Sequence, residues 1–115
     1  MKVVVYARFA TEQQLGLESQ IEQVRQFIAQ HEGWEPSKVY AEIAPARTLW
    51  SRPEIIRLLA DAQSGEFQKV VAVSASRLSR NTLDLINLLK ALEKQSVSVE
   101  TIKEGELARL LRREG

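Results

Sequence analysis

Five of the ten arginines sit where an anion could meet several at once. Arg8 directly follows an apolar run, Arg47 and Arg52 flank a later loop, and Arg77 and Arg80 lie three apart. Residues three apart share a face if that segment turns helical. Guanidinium groups gathered at one edge repel one another unless something anionic lies between them. A phosphodiester suits the planar, bidentate fork of arginine well. Arginines aimed at a pentacoordinate phosphoryl group can stabilise its charge without a metal. Solvated charges or salt-bridge partners are the other reading, since isolated surface charges usually do little. Spacing alone leaves both open and goes no further than a phosphate-binding α/β domain.

The clustering depends on the elements that carry these side chains. Residues 2–7 (KVVVYA) form a β-branched run that reads as a strand buried on both faces. Leu17, Ile21, Val24 and Ile28 mark the stripe of an amphipathic helix, with Gly33 just beyond. Residues 38–42 are a second strand. Ser51, Pro53 and Glu54 resemble a capping box opening a helix that buries Ile55, Ile56, Leu58, Leu59 and Ala62 and stops at Gly65. Residues 69–74 (KVVAVS) form a third buried strand, and a helix with Leu85, Ile86, Leu88, Leu89 and Leu92 follows. Residues 97–102 are a last strand, and residues 106–113 a short basic helix or tail. This order predicts an α/β three-layer sandwich: a mostly parallel central sheet of four to five strands with helices on both faces. Ligands gather in such sheets at the carboxyl ends of strands. Residues 7–14, 42–52 and 74–80 qualify, and each segment contains arginine.

Composition excludes several classes. The 115 residues suit one domain, divided as a core over residues 1–105 and a basic extension over 106–115. A hydrophobic fraction of 44% with 27% charged residues is ordinary for a globular chain. No run approaches a membrane span or a signal peptide, so no membrane partner is expected and the cytoplasm is the expected location. With no cysteine and one histidine, neither a disulfide, a metal site nor a cofactor is expected. Glycine-rich phosphate fingerprints are missing, which argues against dinucleotide and P-loop folds. The net charge of +1 gives no nucleic-acid signal on its own. His31, beside Glu32, reads as a surface residue near a helix end, and Trp34 and Trp50 as packing residues near loops.

Four segments, in order, resemble the catalytic domain of the serine recombinases, the resolvase/invertase family. Tyr6-Ala7-Arg8-Phe9-Ala10-Thr11 is similar to the family's opening, and Gly16-Leu17-Glu18-Ser19-Gln20 to the start of its first helix. Ser51-Arg52-Pro53 with Leu58-Leu59-Ala60-Asp61-Ala62 resembles its Arg-Pro segment, and Ser76-Arg77-Leu78-Ser79-Arg80-Asn81 its Asp-Arg-Leu signature. The resemblance runs from about Met1 to Ile102. It implies DNA cleavage by serine attack on a phosphodiester, a 5′-phosphoserine link, subunit rotation within a tetramer, and religation. It also implies DNA and a homo-oligomer, dimer or tetramer, as partners. Arg8, Arg52, Arg77 and Arg80 match the phosphate-binding arginines, and Gln14 and Gln20 the glutamines. The two carboxylates of the pattern fall at Glu42 and Ser76.

The nucleophile position falls at Ala10, whose methyl group cannot attack phosphorus. Thr11 is adjacent, but on the loop its hydroxyl would point elsewhere. Ser74, Ser76 and Ser79 read as turn or cap residues. Either a catalytic fragment of a working recombinase carries a Ser→Ala change at residue 10, or the fold has naturally lost the chemistry. Ser76 and Pro45 also depart from the pattern, and the chain ends where the family continues into a long helix and a DNA-binding region. Together these departures favour natural loss: an inactive recombinase-like domain that keeps its arginine-lined phosphate site. A non-catalytic interaction module using the family's dimer surface is a third expectation.

Overall fold

The computed structural model describes residues 1–10 and 14–112, the side chains of residues 14, 15, 46, 47 and 112 excepted. Strand β1 (Lys2–Phe9) is buried throughout Val3–Ala7 because parallel strands flank it on both sides. Helix α1 (Gln14–Ala29) crosses back to β2 (Glu35–Ile43). A 3-10 turn (Ala46–Ser51) leads into α2 (Pro53–Gln63), followed by β3 (Lys69–Ala72), the one-turn α3 (Ala75–Leu78) and α4 (Thr82–Glu93). Strand β4 (Ser98–Thr101), β5 (Gly105–Glu106) and α5 (Arg109–Arg112) complete the order.

The sheet runs β2-β1-β3-β4-β5, parallel except for β5, which returns antiparallel on β4. On one face Val4, Tyr6, Val70 and Ala72 pack with Ile55 and Leu58 of α2 and Leu88 and Leu92 of α4. On the other, Val3, Val5 and Val71 pack with Val24 and Ile28 of α1. The expected three-layer α/β architecture is therefore present. No helix among the described residues is long and apolar enough to cross a membrane.

Several local expectations shift. The strand expected at residues 2–7 continues through Phe9, so Arg8 lies inside it. Helix α2 is capped by Arg52 rather than Ser51. Pro53 holds the first helical position, and proline drives its predecessor to extended backbone, which at Arg52 is φ −73°, ψ 123°. Ser51 Oγ instead donates to the Thr48 carbonyl at 3.0 Å. The expected helix over 106–113 is shorter, because Glu106 pairs with Glu100 in the sheet and Leu107 enters the core. The division expected after residue 105 thus falls within β5. There Lys69 Nζ pairs with Glu100 at 2.8 Å and with Glu106. The same ammonium lies 4.8 Å from the ring of Trp34, which stacks on His31. His31 is therefore part of an aromatic stack rather than a bare surface residue.

Candidate functional site

The strand order places β1 between β2 and β3, and the chain builds outward from β1 in opposite directions. That is a topological switch point, where the carboxyl ends of β1 and β3 open a crevice. Pairing of β1 with β3 stops at Val5 and Val71, leaving one edge of the end of β1 without a strand partner. Gln20 of α1, buried, fills that gap. Its Oε1 accepts from the Arg8 amide at 3.2 Å and its Nε2 donates to the Arg8 carbonyl at 3.0 Å. A side-chain amide thus replaces the missing ladder, satisfying both backbone groups.

Arg8, 2% exposed, turns its guanidinium inward. Nε donates to the Arg77 carbonyl, Nη1 to that of Ala44 and Nη2 to that of Ser76, each at 2.9 Å. One side chain thereby ties the loop after β2 to the loop after β3. Arg52, also buried, donates from Nη1 to the Leu78 carbonyl at 2.6 Å and to Tyr6 Oη at 3.1 Å. Tyr6 passes its own proton toward Glu42 Oε2 at 2.7 Å, while Glu42 Oε1 accepts from the Glu54 amide at 3.1 Å. Glu42, beside Arg8 in the β1–β2 register, therefore supplies both a buried counter-charge and the cap that Ser51 does not.

The outer arginines differ. Arg77, partly exposed, rests its guanidinium 5.3 Å from the Phe9 ring and donates to the Arg8 carbonyl at 3.4 Å. Phe9 in turn lies against Gly16, where a Cβ would come within 2.2 Å of Phe9 Cε2. Arg80 is exposed, in the turn between α3 and Asn81. Ser76 is exposed, its Oγ 2.9 Å from Ser74 Oγ. Ala10 is exposed just past the end of β1. The side chains of Gln14 and Arg47, and all of Thr11, lie outside the described residues.

Burial pushes the Arg8 pKa down, and the positive charges of Arg52, Arg77 and Arg80 push the same way. Tyr6 is raised well above the usual tyrosine value, by burial first and by the Glu42 hydrogen bond and charge next. A raised phenol keeps its proton while the unfolded chain releases it, so stability falls as pH rises above about 10. Tyr6→Phe is expected to cost about 1–2 kcal/mol in urea unfolding and to make this alkaline loss shallower. An equally steep loss in the variant would show that the phenol is not linked to folding.

The structure places Arg8, Gln20, Glu42, Arg52, Ser76, Arg77 and Arg80 around the ends of β1 to β3. Sequence reasoning missed Tyr6 as a partner of Arg52. It also missed Glu104, whose Oε1 accepts from the Ala75 amide at 2.9 Å and from Thr101 Oγ1 at 2.7 Å. Glu104 thereby fixes α3, the turn that carries Arg77. No group of three or more His, Asp or Glu among the described residues could hold a metal ion. The arrangement can hold an anion at its rim; its inner guanidiniums hold the protein.

Known proteins give the same outline. The N-terminal catalytic domain of TP901-1 integrase superposes with a TM-score of 0.87 at 24% identity, over 99% of this chain and 88% of that one. The C-terminal catalytic domain of ISC1926 TnpA, an IS607-like serine recombinase, gives 0.81 at 21% identity, over 99% and 78%. A resolvase family site-specific recombinase from Streptococcus pneumoniae gives 0.80 at 19%, over 98% and 82%. No curated protein matches significantly. Residues 3–113 match the family described as Resolvase, N terminal domain, and with nearly the whole chain matched, the protein belongs to the resolvase family.

Proposed function

We propose that this chain is a serine-recombinase-like domain of site-specific DNA recombination that binds DNA phosphates and does not cut them. One observation carries the reading: the residue just past the end of β1, two beyond Arg8, is Ala10, which offers a methyl group and no oxygen. Ser76 supports it. Where the family pattern has a carboxylate, this chain has a neutral hydroxyl paired with Ser74. Arg77 and Arg80 are the phosphate contacts, Arg8 and Arg52 brace the loops that present them, and Gln20 and Glu42 hold the strand ends. Gln14 belongs to the same set through the family pattern alone. The partners are DNA and a second copy of the chain, in the cytoplasm, with no cofactor.

The test compares the chain with Ala10→Ser on supercoiled DNA. The expected outcome is salt-sensitive retention of DNA by both and a covalent protein–DNA adduct with neither, read on denaturing gels. An adduct formed by Ala10→Ser would make the residue 10 methyl the one missing part and favour a Ser→Ala change in a working enzyme. Absence of salt-sensitive retention would leave a protein-interaction module.

A further inference from the structure

Phe9, the last residue of β1, has its backbone and its ring held separately. Its carbonyl accepts from the Ala44 amide at 2.9 Å, so the end of β2 fixes the main chain. Its ring lies against α1, in space that Gly16 leaves open: a Cβ there would stand 2.7 Å from the ring Cζ. The same ring carries the Arg77 guanidinium, whose Cζ lies 5.3 Å from its centroid. The backbone beneath Arg77 is firm, because Glu104 accepts from the Ala75 amide and Arg8 Nε donates to the Arg77 carbonyl. The Arg77 side chain is held more lightly. Among the described residues its guanidinium makes one long hydrogen bond, 3.4 Å to the Arg8 carbonyl, and no ion pair. The Phe9 ring is what sets its direction.

We propose that Phe9 is a positioning residue: it aims the Arg77 guanidinium at a DNA phosphate without touching DNA itself. This rests on the DNA-binding reading above. The negative face of an aromatic ring attracts a cation held over it. Arginine suits this double role, since its planar fork can lie on a ring and still present N–H donors at its edge. A free arginine side chain loses much rotamer freedom when it grips a phosphate. One already resting on a ring has less to lose, so the same contact gives tighter binding. Gly16 belongs to the device, because any larger residue takes the place of the ring. Phe9 carries no charge, so it sets the geometry of the contact and leaves the number of neutralised phosphates unchanged.

A double-mutant cycle on duplex DNA affinity, measured with the whole chain across a salt series, tests this. Phe9→Leu is expected to weaken binding about fivefold with an unchanged salt slope, since no charge is lost. Phe9→Tyr keeps the ring face and is expected to bind as the native chain does. In an Arg77→Ala background the Phe9→Leu change is expected to cost nothing further, because the ring then has no guanidinium to aim. Gly16→Ala, which displaces the ring and leaves both partners in the chain, is expected to repeat the Phe9→Leu loss. It carries the test if Phe9→Leu folds poorly. An equal loss with and without Arg77 would make Phe9 a packing residue and overturn the proposal, while the arginine reading stands. Unchanged or tighter binding in Phe9→Leu would overturn it too, the tighter result meaning that the ring holds Arg77 away from phosphate. If the native chain binds no DNA, both readings fall.

Discussion

Replacing Arg8 with alanine is expected to remove about 4 kcal/mol of folding stability, the net of losing three charge-assisted hydrogen bonds to part-buried loop carbonyls. The bonds run to Ala44, Ser76 and Arg77, all at 2.9 Å, from a side chain 2% exposed. Their loss does not add linearly, because the three carbonyls share one partner and the loops can relax together. An offset also exists. The Arg8 charge is disfavoured by burial and by Arg52, Arg77 and Arg80, so neutralising it relieves repulsion. The offset is the smaller term, since the alanine variant leaves three carbonyl groups that have lost a charged donor. A domain of this size has about 5–15 kcal/mol in total, so the variant sits near the edge of folding. Arg8→Lys is expected to recover less than half of the loss. An ammonium on one flexible stem cannot reach three diverging carbonyls as a planar fork does. Urea unfolding at neutral pH reads both variants. A loss below about 1 kcal/mol for Arg8→Ala, the scale of an ordinary surface change, would show that the loops hold without it.

Which features were legible in the sequence follows from how each is encoded. The strands around Val3–Val5 and Val70–Val71 and the helix stripe Leu17, Ile21, Val24 and Ile28 are local patterns, and they folded as read. The arginines were found because strand ends in a parallel sheet converge, a rule that needs no coordinates. What they do was not readable. Whether a guanidinium faces an anion or a carbonyl depends on where two distant loops pass, and Arg8 reaches across more than sixty positions to Ser76 and Arg77. The cap of α2 was misplaced for the same reason. Ser51 carries the local pattern, but Glu42 comes in from β2 and takes the Glu54 amide. Strand β5 has two residues and no periodicity to find. No local pattern marks Glu104, because its role depends on Thr101 and Ala75 coming beside it in the fold.

Reversing charge at both Arg77 and Arg80 is the second large effect, and it separates DNA-facing side chains from scaffold. These two side chains reach solvent, whereas Arg8 and Arg52 are buried. If DNA lies across this edge, Arg77→Glu with Arg80→Glu is expected to lower affinity about a hundredfold, near a factor of ten for each arginine reversed. The salt slope should flatten by about two, because each phosphate neutralised by an arginine contributes close to one. Stability should change little, since Arg80 is exposed and Arg77, partly exposed, makes only a long bond at 3.4 Å to the Arg8 carbonyl and a contact with the Phe9 ring. A mere change in net charge would mimic part of this, so position matters. Reversing Arg25, which is exposed on α1, changes the total charge without touching the edge and is expected to leave the slope nearly intact. Arg77→Lys with Arg80→Lys refines the answer: the slope should survive while affinity falls, because lysine keeps the charge and loses the bidentate geometry. Unchanged affinity and slope in the double reversal would remove Arg77 and Arg80 from the interface. The four-arginine field would then be a property of the fold, with Glu42 as its counter-charge.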